Sequence, residues 1–207
     1  MAKIGLIIAL TACVAGPLMV RIGLPYRAGL LLFALGVVCA AGLGLWVTRV
    51  SLVGLVGVVP LLLVAPMVLK ALKLPPVADV MTRVTPPVVL IDAPQAENPL
   101  AITQAVTDAH NGAYSDVRPW QTTTDPSAAV LAFADQQGWV LVSHTGSDFQ
   151  FESRSRLFGF VDDVVVRVSE DSGAYQINAR SRSRVGVSDF GVNAARIRSL
   201  KAALTAD

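Results

Sequence analysis

The chain has 207 residues, 53% of them apolar, with a formal net charge of +2 and a sequence pI of about 8.7. That is too apolar for an ordinary soluble domain, and the charge is split: Met1 to Lys73 carries Lys3, Arg21, Arg27, Arg49, Lys70 and Lys73 but no acid, whereas all 15 acids come after Leu74. The basic pI is thus an average over two unlike parts and excludes nothing but a simple nucleic-acid reading, since the second part is net acidic.

Three apolar runs lead the chain, roughly Ile4 to Val20, Ala28 to Val47 and Val50 to Leu69. Each is close to the ~20 residues that cross the hydrocarbon of a bilayer. A cleaved leader competes for the first run, but Pro17, Met19 and Val20 before Arg21 make a poor small-residue cleavage site. Gly36, Ala40 and Gly44 recur at four-residue spacing on the second run, a stripe that admits a close helical neighbour. Pro60 and Pro66 are expected to bend the third. No charge sits mid-span, so residues 1–73 read as a three-helix transmembrane anchor rather than an ion path. Three crossings put Lys3 and Arg49, in the Thr48 to Val50 link, on one side, and Arg21, Arg27, Lys70 and Lys73 on the other. That count favours a cytoplasmic position for the remainder of the chain. Both cysteines, Cys13 and Cys39, lie in these runs, so the rest of the chain has no disulfide frame and no Cys-based metal site.

Residues 74–116 include Pro75, Pro76, Pro86, Pro87, Pro94 and Pro99 without a sustained period, and read as a Pro-rich, extended tether lying along the domain or the membrane surface. Residues 117–207 read as a small α+β domain. Val117 to Thr123 is its first strand. Asp125-Pro126 starts, and Gly138 stops, a helix that buries Val130, Leu131, Phe133 and Ala134. Trp139 to His144, Phe149 to Phe158, Asp162 to Val168 and Ala174 to Val185 come next, joined by Gly146-Ser147 and Asp171-Ser172-Gly173 among their turns. They are expected to form an antiparallel meander. A last helix, Asp189 to Leu204, carries Phe190, Ile197, Leu200 and Leu204 as an apolar stripe for one sheet face. The order is β-α-β-β-β-β-α.

Period-two alternation puts Phe149, Phe151, Val164, Val166, Val168, Tyr175, Ile177 and Ala179 on one face. The other face receives Glu152, Arg154, Arg156, Asp163, Arg167, Arg180, Arg182 and Arg184. Arg154, Arg156, Arg180, Arg182 and Arg184 are the candidate anion- or partner-binding set, because each guanidinium offers a planar fork of donors. Beside a membrane the anion would be a lipid headgroup. The bland reading is a solvated face paired across strands with Glu152, Asp162 or Asp163. Ser188 or Asp189 is expected to cap the last helix.

Catalytic patterns are weak, and no catalytic residue is assigned. Ser143 and His144 face opposite ways on one strand, His110 lies in the tether, and Asp162 and Asp163 diverge as strand neighbours. Two histidines without cysteine partners give no metal site, and no loop cradles a cofactor phosphate.

Two stretches, Arg154-Ser155-Arg156-Leu157-Phe158-Gly159-Phe160-Val161-Asp162-Asp163-Val164-Val165-Val166-Arg167-Val168 and Ser183-Arg184-Val185-Gly186-Val187-Ser188-Asp189-Phe190-Gly191-Val192-Asn193-Ala194-Ala195-Arg196-Ile197, resemble the signature of the domain-of-unknown-function family numbered 1499. The likeness runs from about Tyr114 to Leu204. It implies the family fold, a multi-span amino-terminal segment like those of proteobacterial members, and, through plant relatives of the thylakoid lumen, an exported domain in the periplasm. The motif's polar residues here are Arg156, Asp162, Asp163, Arg167, Arg184, Ser188, Asp189, Asn193 and Arg196. The family implies no activity.

The expectation is therefore a multi-pass protein of the bacterial inner membrane with a non-catalytic binding domain. Its partners would be membrane lipids or another envelope protein, with no nucleic acid and no cofactor. A variant holds an apolar ligand between the last helix and the sheet. The rivals are an enzyme using Asp162 and Asp163 on a membrane-derived substrate, and a structural subunit of a membrane complex.

Overall fold

A computed structural model describes residues 2–48 and 52–205. The chain forms two compact units, Met1–Lys70 with Ser155–Gly159, and Ala71–Arg154 with Phe160–Asp207.

In the first unit, α1 (Ala2–Arg21) and α2 (Tyr26–Thr48) are the two helices long and apolar enough to cross a membrane. They expose Ile7, Leu31 and Val38 outward, as lipid-facing positions would. The small-residue stripe is their contact face. A Cβ at Gly36 would lie 2.8 Å from the Cys13 amide nitrogen and 2.9 Å from the Ala9 carbonyl, so only glycine lets the two backbones approach. The third run is not one long helix: a 3-10 stretch, Leu52–Val58, precedes α3 (Val59–Ala71). Pro60 falls in the first turn of α3, where its missing N–H costs nothing, while Pro66 lies inside the helix. Gly57 of the 3-10 stretch packs on both helices, where a Cβ would meet Leu6 Cδ1 of α1 at 2.7 Å and Gly44 Cα of α2 at 2.9 Å. Arg49, Val50 and Ser51 lie outside the described residues.

The second unit is α+β, built on one antiparallel sheet. Its elements are β1 (Asp79–Met81), α4 (Gln104–Asn111), β2 (Trp120–Thr122), α5 (Ser127–Gln136), β3 (Val140–Thr145), β4 (Asp148–Arg154), β5 (Val161–Asp171), β6 (Ala174–Ser183) and α6 (Val192–Leu204). Strand order is β1-β6-β5-β4-β3, with β2 pairing further along β6. From β2 onward this is the expected β-α-β-β-β-β-α order, and β3 to β6 form the expected meander. Ser172 (φ 51°) and Gly173 (φ 81°) turn β5 into β6, since two left-handed residues match the twist of a hairpin. Strand β4 stops at Arg154 rather than running to Phe158, and β6 stops at Ser183 rather than Val185.

The register confirms the two faces: Phe149 opposes Val166, Phe151 opposes Val164, and Asp163 opposes Arg182. Helices α5 and α6 cover the apolar face, burying Val130, Phe133, Ala134, Ala194, Ile197 and Leu200. Leu131 and Phe190, expected in these apolar stripes, are exposed instead. Phe190 precedes α6 and sits at φ 56°, which turns it off the helix face.

Residues 74–116 do lie along the domain, but as part of its fold rather than as a tether without elements. They supply β1 and α4, and they bury Val77, Val80, Met81, Val88, Val106, Ala109 and Tyr114 in the same core as the sheet. Proline-rich chain of this kind stays extended, but its apolar residues still gain by leaving water, so it is laid across the sheet as a strap.

Candidate functional site

The arginine face is where the strap lands. Arg180 opposes Val165 on β5 and points at β1 and the strap beyond it. Its Nε and Nη2 donate to the two carboxylate oxygens of Asp79, at 3.0 and 2.5 Å. The remaining donors go to the carbonyls of Val88 and Leu100, at 3.0 and 3.1 Å. Gln150, beside it on β4, accepts from the amides of Ile91 and Asp92 and donates to the Asp92 carbonyl. Arg167 donates to the Val89 carbonyl and pairs with Asp148 at 2.9 Å. Arg182 donates to the Asn98 carbonyl at 2.6 Å. Each of these side chains thus satisfies hydrogen-bonding groups of the strap backbone.

Consequently Arg180 and Arg182 are only 2% and 1% exposed, and they are not open to a headgroup. Burial lowers the pKa of Arg182 against the raising influence of Asp79 and Asp163. Its Nη1 and the Asp163 Oδ2 stand 3.8 Å apart, each without a hydrogen bond. Arg184 is half-buried and donates to Asp163 Oδ1 at 2.7 Å and to Glu152 at 2.6 Å. Burial works against its charge, but these two carboxylates outweigh it and hold its pKa above the ordinary value. Arg154 is exposed and paired with the far oxygen of Glu152. Arg156 lies beyond the end of β4 and is exposed. The structure therefore gathers Arg180, Arg182 and Arg184 with Glu152 and Asp163, and leaves Arg156 apart.

A second polar cluster lies under α6. Arg196 donates to Asp162 at 2.8 Å, to Ser181 at 2.7 Å, to Asn193 at 2.6 Å and to Ser153 at 3.3 Å. Asn193 donates in turn to the Ala78 carbonyl and to Ser183, and accepts from Ser181. Asp189 takes the amides of Gly191 at 2.9 Å and Asn193 at 2.5 Å, so it fills the capping role at the start of α6. Burial raises its pKa despite those two bonds. Ser188 accepts only from the Phe190 amide, at 3.3 Å. Asp162 and Asp163, adjacent in sequence, thus serve opposite faces: one ties α6 to the sheet, the other ties β5 to β6. No room remains between α6 and the sheet for an apolar ligand, because Ala194 and Leu200 are wholly buried there.

His110 is in α4, buried, with Nδ1 3.1 Å from the Met81 carbonyl and the Arg118 guanidinium against its ring. Burial and then the Arg118 charge lower its pKa. His144 stacks on Phe149 with centroids 4.7 Å apart. Among the described residues no group of three or more His, Cys, Asp or Glu is placed to hold a metal ion. A cavity of about 190 Å³ opens beside Asn98, Thr103, Arg182 and Ser183. That is smaller than the roughly 300–1,000 Å³ of ordinary small-molecule pockets.

Two features are not apparent from the sequence. One is the set of strap contacts made through Asp79, Asn98 and Gln150, whose only signal is the number of Val and Leu residues in a supposed linker. The other is β3. It pairs with β4 alone among the described residues, and Val140, Leu141 and Val142 on it are 55%, 45% and 43% exposed. A bulge between Leu141 and Ser143 shifts its register.

Residues 90–204 match the model of a family described as a protein of unknown function, DUF1499. No curated protein and no solved structure matches the chain.

Proposed function

This chain belongs to the DUF1499 family, and we propose that it is a multi-pass protein of the bacterial inner membrane whose domain is a non-catalytic binding module for another envelope protein. The observation that carries this reading is the β3 edge. Sheet edges normally carry charge, proline, a bulge or a cover, because unpaired N–H and C=O groups recruit foreign strands, and of these β3 has the bulge between Leu141 and Ser143. Here Val140-Leu141-Val142-Ser143-His144-Thr145 has neither Lys nor Pro, and three of its apolar side chains face water. A partner adding a strand would satisfy that backbone and cover those side chains.

Catalysis is disfavoured by the state of the carboxylates. Asp162 and Asp163 are buried and already accept from Arg196 and Arg184, which keeps them out of reach of a substrate. An anionic lipid on Arg180 or Arg182 would have to displace the strap, and one on Arg184 would have to displace Asp163 and Glu152. Three crossings fit the dimensions: seven residues of 3-10 helix at about 2.0 Å each and thirteen of α-helix at about 1.5 Å each would span roughly 34 Å. The family likeness favours a periplasmic domain. A phosphatase fused after Asp207 is expected to be active, and a fluorescent protein there dark; the reverse result sinks the periplasmic assignment.

Photo-crosslinking in cells tests the edge itself. A benzophenone side chain at Val140 or Val142 of the full chain is expected to give one discrete adduct with a membrane or envelope protein. Leu141→Lys should abolish that adduct while leaving the amount of protein unchanged. An adduct of twice the chain's mass would identify a second copy instead, and no adduct at either position removes the edge from consideration.

A further inference from the structure

We propose that the Gly186–Val192 loop is a membrane-contact surface, in which Val187, Phe190 and Val192 enter the interfacial layer of the bilayer that holds the chain's own apolar helices. The proposal rests on the membrane reading of α1 and α2 but not on the β3 partner. Val187 is 82% exposed, Phe190 50% and Val192 47%, three large apolar side chains within six residues. None of them is needed by the core, which is closed behind them by Ala194 and Ile197.

The loop is rigid from the inside. Asn98 donates to the Gly186 carbonyl at 2.9 Å, the Asp189 amide donates to the Val77 carbonyl at 3.3 Å, and the Asp189 carboxylate grips Gly191 and Asn193. These bonds hold Phe190 in the left-handed region that residues with a Cβ rarely adopt, with its ring turned outward. An aromatic held in that way toward solvent loses free energy unless something apolar receives it.

Connectivity says what is near enough to do so. A Cβ at Gly191 would lie 2.6 Å from Leu74 Cδ1, so the loop packs directly on Leu74. Leu74 comes three residues after Ala71, where the last apolar helix ends. Three residues of extended chain reach about 10 Å. The intervening Leu72 is 78% exposed, and Lys73 is exposed beside it. Apolar side chains interleaved with a cation are the composition of an interfacial segment, in which the ammonium reaches headgroups while its stem stays in the apolar layer.

The test uses the full chain with Cys13→Ala and Cys39→Ala, reconstituted in vesicles of phosphatidylcholine and phosphatidylglycerol. An environment-sensitive fluorophore is placed at Val187→Cys, Phe190→Cys, Leu35→Cys on α2, or Ser172→Cys at the far end of β6. The labels at Val187, Phe190 and Leu35 should shift to the blue and lose most of their emission to a lipid-borne nitroxide, while Ser172 stays unchanged. With Leu35 quenched, no shift at Val187 and Phe190 means the loop stays in water, and a shift without lipid quenching means protein covers it. Either result overturns the proposal alone. An unquenched Leu35 overturns the anchor and the proposal together.

Discussion

His110 shows how a residue's surroundings change what its chemistry can do. The sequence places this histidine only in a supposed linker, yet it is buried in α4 against Met81 and Arg118. Burial and the neighbouring cation depress its folded pKa below the usual 6.5. The unfolded chain then takes up a proton near pH 6.5 that the folded chain resists, so stability is lost as pH falls from there through the folded value. The expected outcome is a melting temperature in detergent that drops between pH 7 and pH 5, with a shallower drop in His110→Gln. Equal slopes for both proteins would remove His110 as the cause. Asp162 and Asp163 make a related point: adjacent carboxylates suggest acid–base work, but their strand alternation sends them to Arg196 and Arg184 on opposite faces.

At the scale of elements, the strap and the meander are legible to different degrees, for physical reasons. Strand alternation, turn residues and the β-α-β-β-β-β-α order come from contacts between sequence neighbours, so β3 to β6 and the two covering helices can be read directly. Burial of Arg180 and Arg182 cannot, because an arginine on an alternating strand looks the same whether water or a distant segment covers it. The cover comes from residues about 80 to 100 positions away, through Asp79, Val88 and Leu100. Arg180→Ala should therefore do more than remove a charge. It leaves Asp79 largely buried without its partner, at a cost of about 3–5 kcal/mol. It should also free the strap, so limited proteolysis of Arg180→Ala is expected to cut between Thr82 and Leu100 at protease levels that leave the parent chain intact. Arg180→Lys keeps the charge but loses the fork, and should fall between the two.

Taken whole, the molecule places its domain boundary near Ala71, well before the point near Val117 at which the strand pattern becomes readable. A soluble fragment starting at Ala71 is expected to be monodisperse on gel filtration with a cooperative melt. One starting at Val117 lacks β1, α4 and the cover over Arg180 and Arg182, and should aggregate; a cooperative melt from that shorter fragment would refute the strap's structural role. The same strap also has a mechanical consequence. It is the covalent path from the apolar helices into the sheet, and it enters at the three residue pairs of β1 with β6, backed by the Asp79–Arg180 fork. Tension between the apolar helices and anything gripping the domain would therefore be borne first by that short strand.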